Sequence, residues 1–250
     1  MKNVKKLIMI TGISSGVGES LTKFFLSQNY KVIGMARRIE MVKKKFSNHP
    51  NLFFYKTDFS KLNDLKKNLQ KIKEKFDYIP FVINNAAILN KCEIDNVSIN
   101  KIQDSLQVNL FSIFLIMKKF VPLMEKNRFG RVINLTSGAP FNCFPDFLAY
   151  SISKSALNAL TITFAKKLKS SEVKINLMSP GPVKSEMSPD SEIKPDICHQ
   201  LVCYLLNIKK NCPTGKFFWI DRELPLFPDH DGVNWLKAEA DNAKFPIIKK

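Results

Sequence analysis

The sequence predicts an α/β fold: a single doubly wound parallel sheet of about seven strands with helices on both faces. Three observations carry this. Short apolar segments suited to strands alternate with helical patterns along most of the 250 residues. A glycine-rich turn separates the first apolar run from the first helical pattern. Polar residues collect just after the strands, at the edge where such sheets bind ligands.

In chain order, strands are expected at residues 4–10, 31–35, 52–56, 81–83, 131–135, 174–178 and 216–220. Helices lie between them, including 97–124 and 149–169. Asp58 follows the third strand and Asn84-Asn85-Ala86-Ala87 the fourth. Thr136-Ser137 follows the fifth and Ser179-Pro180-Gly181-Pro182 the sixth. Pro225 and Pro228 mark the end of regular sheet. The domain is thus expected over 1–228, with 229–250 a tail that either packs as a short helix or dangles.

The first turn reads Thr11-Gly12-Ile13-Ser14-Ser15-Gly16-Val17-Gly18. Gly16 and Gly18 carry no Cβ, so backbone can approach a ligand closely. The helix that follows aims unpaired N–H groups and its positive dipole end at the same spot, which suits phosphate. The spacing is G-x-x-x-G-x-G rather than G-x-G-x-x-G. A surface turn needing flexible residues is the other reading of this segment taken alone.

Composition bounds the function. A hydrophobic content of 45% suffices for a full core. No apolar run approaches the roughly 18 residues that span a bilayer. Met1 to Ile10 reads as a first strand and not as a signal peptide, so no membrane is expected. Cys92, Cys143, Cys198, Cys203 and Cys212 form no C-x-x-C pair, and three histidines are not spaced for a metal. Free thiols in a reducing compartment, the cytoplasm, and no metal are expected. The net charge of +17 raises the prospect of a polyanionic partner. The lysines, however, fall in scattered pairs on helical patterns, with Lys43 to Lys45 the sole triplet. They are read as solvated faces, with no nucleic acid as partner.

A dinucleotide site usually places an acid at the end of the second strand, on the adenosine ribose. Here that position holds Ala36, and Arg37 and Arg38 follow. A guanidinium matches a phosphate in bidentate geometry, so NADP(H) is favoured over NAD(H), with Arg37 the principal contact because it leaves the strand first. The pair could also simply begin a solvated loop. Asp58 could accept from an adenine amino group or cap the helix that begins near Lys61.

Tyr150 and Lys154 stand four residues apart and share one helix face. A nearby ammonium lowers a phenol's pKa, so such a tyrosine can exchange a proton with a substrate oxygen. Ser137, at the end of the fifth strand, can donate to the same oxygen. Asn109 lies among apolar neighbours and needs partners: a water behind Lys154, or local backbone.

These elements in order resemble the classical short-chain dehydrogenases/reductases, which have a Rossmann-like fold. The resemblance covers about Val4 to Pro225 and rests on Thr11-Gly12-x-x-x-Gly16-x-Gly18, Asp58, Asn84-Asn85-Ala86, Asn109, Ser137, Tyr150-x-x-x-Lys154 and Pro180-Gly181. It implies Tyr150 as general acid/base, Lys154 lowering its pKa and binding the nicotinamide ribose, Ser137 polarising the carbonyl, and Asn109 completing a tetrad through a water. It implies that Gly12, Ser14, Ser15, Gly16, Val17 and Gly18 surround the pyrophosphate and adenosine. Asp58 and Phe59 would approach adenine, with Asn85 and Ala86 beside the adenosine half. Pro180, Gly181, Val183 and Ser185 would contact the nicotinamide. The Arg37 pattern is like NADP-preferring, carbonyl-reductase-like members.

Two departures stand out. Ala87 replaces a usual glycine, which requires a negative φ there. The loop after Ser137 carries Phe141, Phe144 and Phe147, read either as an apolar substrate wall or as core anchors. The expectation is an oxidoreductase that moves hydride between NADPH and a ketone, aldehyde or secondary alcohol. The alternative is a catalytically inactive NADP(H)-binding regulatory or scaffold protein of the same fold. The oligomeric state is open. By resemblance, helices 97–124 and 149–169 are surfaces on which such folds often form a dimer or tetramer.

Overall fold

A computed structural model describes residues 6–47, 49–207, 214–227, 233–234, 239–241 and 243–244. The first two residues expected in the opening strand, the Lys209-Lys210 pair, Cys212, Pro228 and most of the expected tail lie outside them.

The expected α/β alternation is present. Strand β1 (Leu7–Thr11) leads through the glycine turn into α1 (Gly16–Ser27). β2 (Lys31–Ala36), α2 (Ile39–Phe46), β3 (Leu52–Lys56) and α3 (Leu62–Lys75) follow. β4 (Phe81–Asn84) precedes α4 (Ile99–Leu106) and α5 (Ser112–Lys126). β5 (Gly130–Leu135), a short α6 (Ala139–Asn142), α7 (Leu148–Lys167), β6 (Val173–Ser179) and α8 (Cys198–Leu206) complete the windings.

The sheet order is β3-β2-β1-β4-β5-β6-β7-β8, with β7 at Phe217–Trp219 and β8 at Arg222–Leu224. β1 to β7 run parallel, and β8 returns antiparallel against β7. The sheet therefore has eight strands where about seven were expected. β8 was missed because Arg222-Glu223-Leu224 has neither alternation nor an apolar run to mark it. It ends just before Pro225, as the proline implied.

Strand alternation divides the core into two layers. Leu7 and Met9 of β1 pack with α3, α5 and α7, whereas Ile8 and Ile10 pack with α1, α2 and α8. Order reverses between β1 and β4, so a crevice opens where the glycine turn and Asn84-Asn85 leave adjacent strands.

The helix expected over 97–124 runs over Ile99–Lys126, but it is not uniform. Residues Gln107–Phe111 form a π-helical turn centred on Asn109. Ser98 caps the N-terminus by accepting from the Lys101 N–H. By length and composition this 28-residue stretch matches a membrane span, which the sequence reading did not foresee. Ile113, Ile116, Met117, Phe120, Val121 and Met124 are nonetheless buried under the sheet, and that packing accounts for its apolar character.

Candidate active site

The glycine turn is held from two sides. Gly12 donates to Met35 O at 2.7 Å and sits at φ +77°, a conformation open to glycine. Asn85 Nδ2 donates to Thr11 O at 2.9 Å, and Thr11 Oγ1 accepts from the Asn85 and Ala86 N–H groups at 3.0 and 2.9 Å. The expected contact residue Asn85 is thus also a brace for the turn, and Thr11 is a brace that sequence reasoning overlooked. A Cβ on Gly18 would stand 2.3 Å from Gly12 O, so Gly18 is needed for the packing of the turn on itself. Ala87 is not among the residues of positive φ, which meets the condition its methyl group imposed.

One cavity of about 820 Å³ opens over these elements, within the usual size of a ligand site. Gly12, Ser14, Ser15, Gly16 and Val17 line it, as do Arg37, Asp58, Phe59, Asn85 and Ala86. So do Pro180, Gly181, Val183 and Ser185, together with Ser137, Tyr150 and Lys154. Phe141, Phe144 and Phe147 stand on its wall. Of the predicted site residues, Gly18 and Asn109 do not line the cavity. Glu186, Met187, Trp219 and Leu224 line it without having been predicted. The first two followed a recognised motif, but nothing in the sequence folded them back over it.

The α7 helix presents Tyr150 and Lys154 on one face, and the β5 end presents Ser137. Lys154 is fully buried and donates from Nζ to Leu135 O at 2.8 Å. Its Nζ lies 5.6 Å from the Tyr150 ring centre. Burial pushes the Lys154 ammonium down to about 7. Burial also pushes the Tyr150 phenol up to about 12, while a hydrogen bond with Ser137 works the other way. The expected lowering of the phenol by Lys154 is therefore corrected. The partner of the ammonium is a neutral carbonyl, and loss of water outweighs it, so the phenol is a protonated donor at neutral pH.

Asn109 has local partners. Its Oδ1 accepts from Ile88 N–H at 2.9 Å, and its Nδ2 donates to Ile88 O at 3.0 Å and Ser153 Oγ at 3.0 Å. The π turn positions this amide to tie the segment after β4 to α7. Asp58 does not cap α3, whose N-cap is Lys61. Burial alone would raise the Asp58 carboxyl, but hydrogen bonds from Ser60 and the charges of Arg37 and Lys61 hold it below its ordinary value.

The two arginines at the β2 end both line the cavity but differ in their partners. Arg37 is exposed and makes no hydrogen bond or ion pair to a described residue. Arg38 reaches the glycine turn: its Nη2 donates to Ser15 Oγ at 2.9 Å and Ser14 Oγ at 3.1 Å. Position along the strand did not disclose this contact, because it says nothing about which way a long side chain folds.

A dinucleotide suits this cavity. It has a turn whose close packing excludes Cβ atoms, α1 N–H groups beside it, and a guanidinium anchored on the turn's own hydroxyls.

Comparison with known proteins points the same way. A family model described as short chain dehydrogenase matches residues 6–195. A farnesol dehydrogenase from Aedes aegypti is 30% identical over 202 residues, 76% of this chain and 82% of that protein. An NADPH-dependent 3-dehydrocapnine reductase from Ornithobacterium rhinotracheale is 28% identical over 187 residues, 72% of this chain and 66% of that protein. Among solved structures, ElxO with NADP bound superposes with a TM-score of 0.77 at 24% identity, covering 87% of this chain and 98% of that one.

Proposed function

The chain belongs to the short-chain dehydrogenase family, and on that premise we propose that it is an NADPH-dependent carbonyl reductase or alcohol dehydrogenase. The observation that carries this is the meeting of Ser137, Tyr150 and Lys154 in one cavity with the glycine turn. When bound, the reduced nicotinamide supplies the hydride. Ser137 donates a hydrogen bond to the carbonyl oxygen and fixes its position. Tyr150 Oη gives its proton to that oxygen as the carbon is reduced, leaving a phenolate. Lys154 then stabilises that phenolate, because a negative charge nearby favours its protonated form. Asn109 acts through Ser153 and Ile88 as a positioning residue for α7.

Preference for NADP(H) is supported by Ala36 in place of an acid and by Arg37 and Arg38 at the β2 end. The NADPH-dependent relative and the NADP-bound neighbour agree with it. The substrate is a small carbonyl compound or alcohol. Phe141, Phe144 and Phe147 favour an apolar one, in keeping with the name of the farnesol dehydrogenase relative. We assign residues 1–228 to one catalytic unit acting in the cytoplasm. Absorbance of the reduced nicotinamide, followed with NADPH and NADH across neutral carbonyl compounds, tests this. Turnover with NADPH, and faster than with NADH, is expected; binding of NADPH without turnover on any carbonyl would contradict it.

A further inference from the structure

The segment after β6 ends far from β2, yet a side chain on it reaches an arginine at the β2 end. β6 and β2 are four strand positions apart in the sheet order, roughly 19 Å at about 4.8 Å per strand. Glu186 nonetheless meets Arg38 Nη1 with both carboxylate oxygens, at 2.6 and 2.7 Å. The segment therefore reaches the glycine turn and the β2 end, and it lines the cavity on the way.

Its tip is shaped for this. Ser185 and Ser188 pair in an isolated antiparallel bridge that presents Glu186 and Met187. Lys184 N–H donates to Ile193 O at 2.7 Å and fastens the base. A Cβ placed on Gly16 would come within 3.1 Å of Ser185 Cβ, so the strap rests on the glycine turn itself. The remaining donors of Arg38 are spent on Ser14 and Ser15. Its Nη1 is the side open to an anion, and Glu186 takes it. Of the other carboxylates nearby, Glu19 is held by Lys23 and Lys45, and Asp58 by Ser60.

We infer that Glu186 is an internal occupant of the cation site that would otherwise take the ribose phosphate of the cofactor. A phosphorylated nucleotide must displace this carboxylate from Arg38, whereas an unphosphorylated one need not. The pair is half exposed on both sides, so it is weak and readily exchanged. A phosphate monoester carries more charge and more acceptor oxygens than a carboxylate, so it wins the exchange. Glu186 thereby lowers discrimination for the phosphorylated cofactor and ties release of the strap to its arrival. The inference rests on the dinucleotide reading above.

Calorimetric titration of adenosine 2′,5′-bisphosphate and of 5′-AMP tests it without turnover. Glu186→Gln is expected to tighten the bisphosphate about two- to fivefold and to leave 5′-AMP unchanged. In an Arg38→Ala background the same substitution is expected to change neither. Equal effects on both ligands, or on neither, would overturn the inference while leaving the dinucleotide reading standing. Failure of the wild-type protein to bind either ligand would overturn both.

Discussion

The two ends of the cavity are built by different means. At the β1–β4 crevice, two short polar side chains pin the backbone: Thr11 Oγ1 accepts from the Asn85 and Ala86 N–H groups, and Asn85 Nδ2 donates to Thr11 O. Beyond β5, aromatic rings pack on one another instead: Phe141 stacks on Phe217 at 5.4 Å, and Phe144, Phe147 and Tyr150 follow edge to face at 5.9 and 6.5 Å. Phe141 and Phe144 are about half exposed, whereas the braces of the turn are mostly covered. A turn pinned this way admits little variation, because each of these bonds fixes a backbone group. A side-chain wall can be recut without disturbing its frame. Nucleotide binding should therefore be brittle and substrate choice tolerant.

The sharpest way to break that contrast is Gly18→Ala. Its new methyl group would meet Gly12 O and Asn85 Nδ2, both fixed. A loss of about 1–3 kcal/mol is expected in urea unfolding, with weaker nucleotide binding alongside. Unchanged stability would show that the turn has slack.

A pH effect of comparable size is expected from Lys154. Its folded pKa of about 7 lies below the ordinary 10.5, so between those values the unfolded chain holds a proton that the folded chain has released. This group's contribution to stability therefore rises as pH climbs from about 7 to 10.5 and is at its least favourable below that window. Unfolding free energies of wild type and Lys154→Met, measured from pH 6 to 9.5, should diverge by at most about 1.4 kcal/mol per pH unit. Parallel curves would mean that the amine is not desolvated.

The smallest effect is expected at the wall. Phe144→Ala removes a half-exposed ring, so KM for an apolar carbonyl should rise about fivefold, from roughly 1 kcal/mol of lost burial. NADPH affinity and stability should stay near wild type. A matching loss of NADPH affinity would join the two ends that the structure separates.

What the sequence disclosed follows the same division. Short apolar runs marked β1 to β7, because strands buried on both faces read as continuous apolar segments. The turn, Ser137, Tyr150 and Lys154 were legible because each chemistry requires a residue type at a fixed spacing. Partnerships set by side-chain direction were not. Arg38 rather than Arg37 turns toward Ser14 and Ser15, and Asn109 takes Ile88, a partner that its apolar neighbours in sequence did not identify. The direction of the Tyr150 shift was also hidden, since depth of burial is a property of the fold and not of a four-residue motif. Glu186 lies 148 residues from its partner, beyond any local pattern.

The central claim is that Tyr150 delivers the proton in a cavity that the glycine turn has already prepared for the nucleotide. Tyr150→Phe, assayed for turnover on an apolar carbonyl and titrated with NADPH in parallel, tests it most directly. Turnover should fall about 10²- to 10⁴-fold while NADPH affinity holds within a few-fold. Turnover near the wild-type rate in the variant would contradict the account.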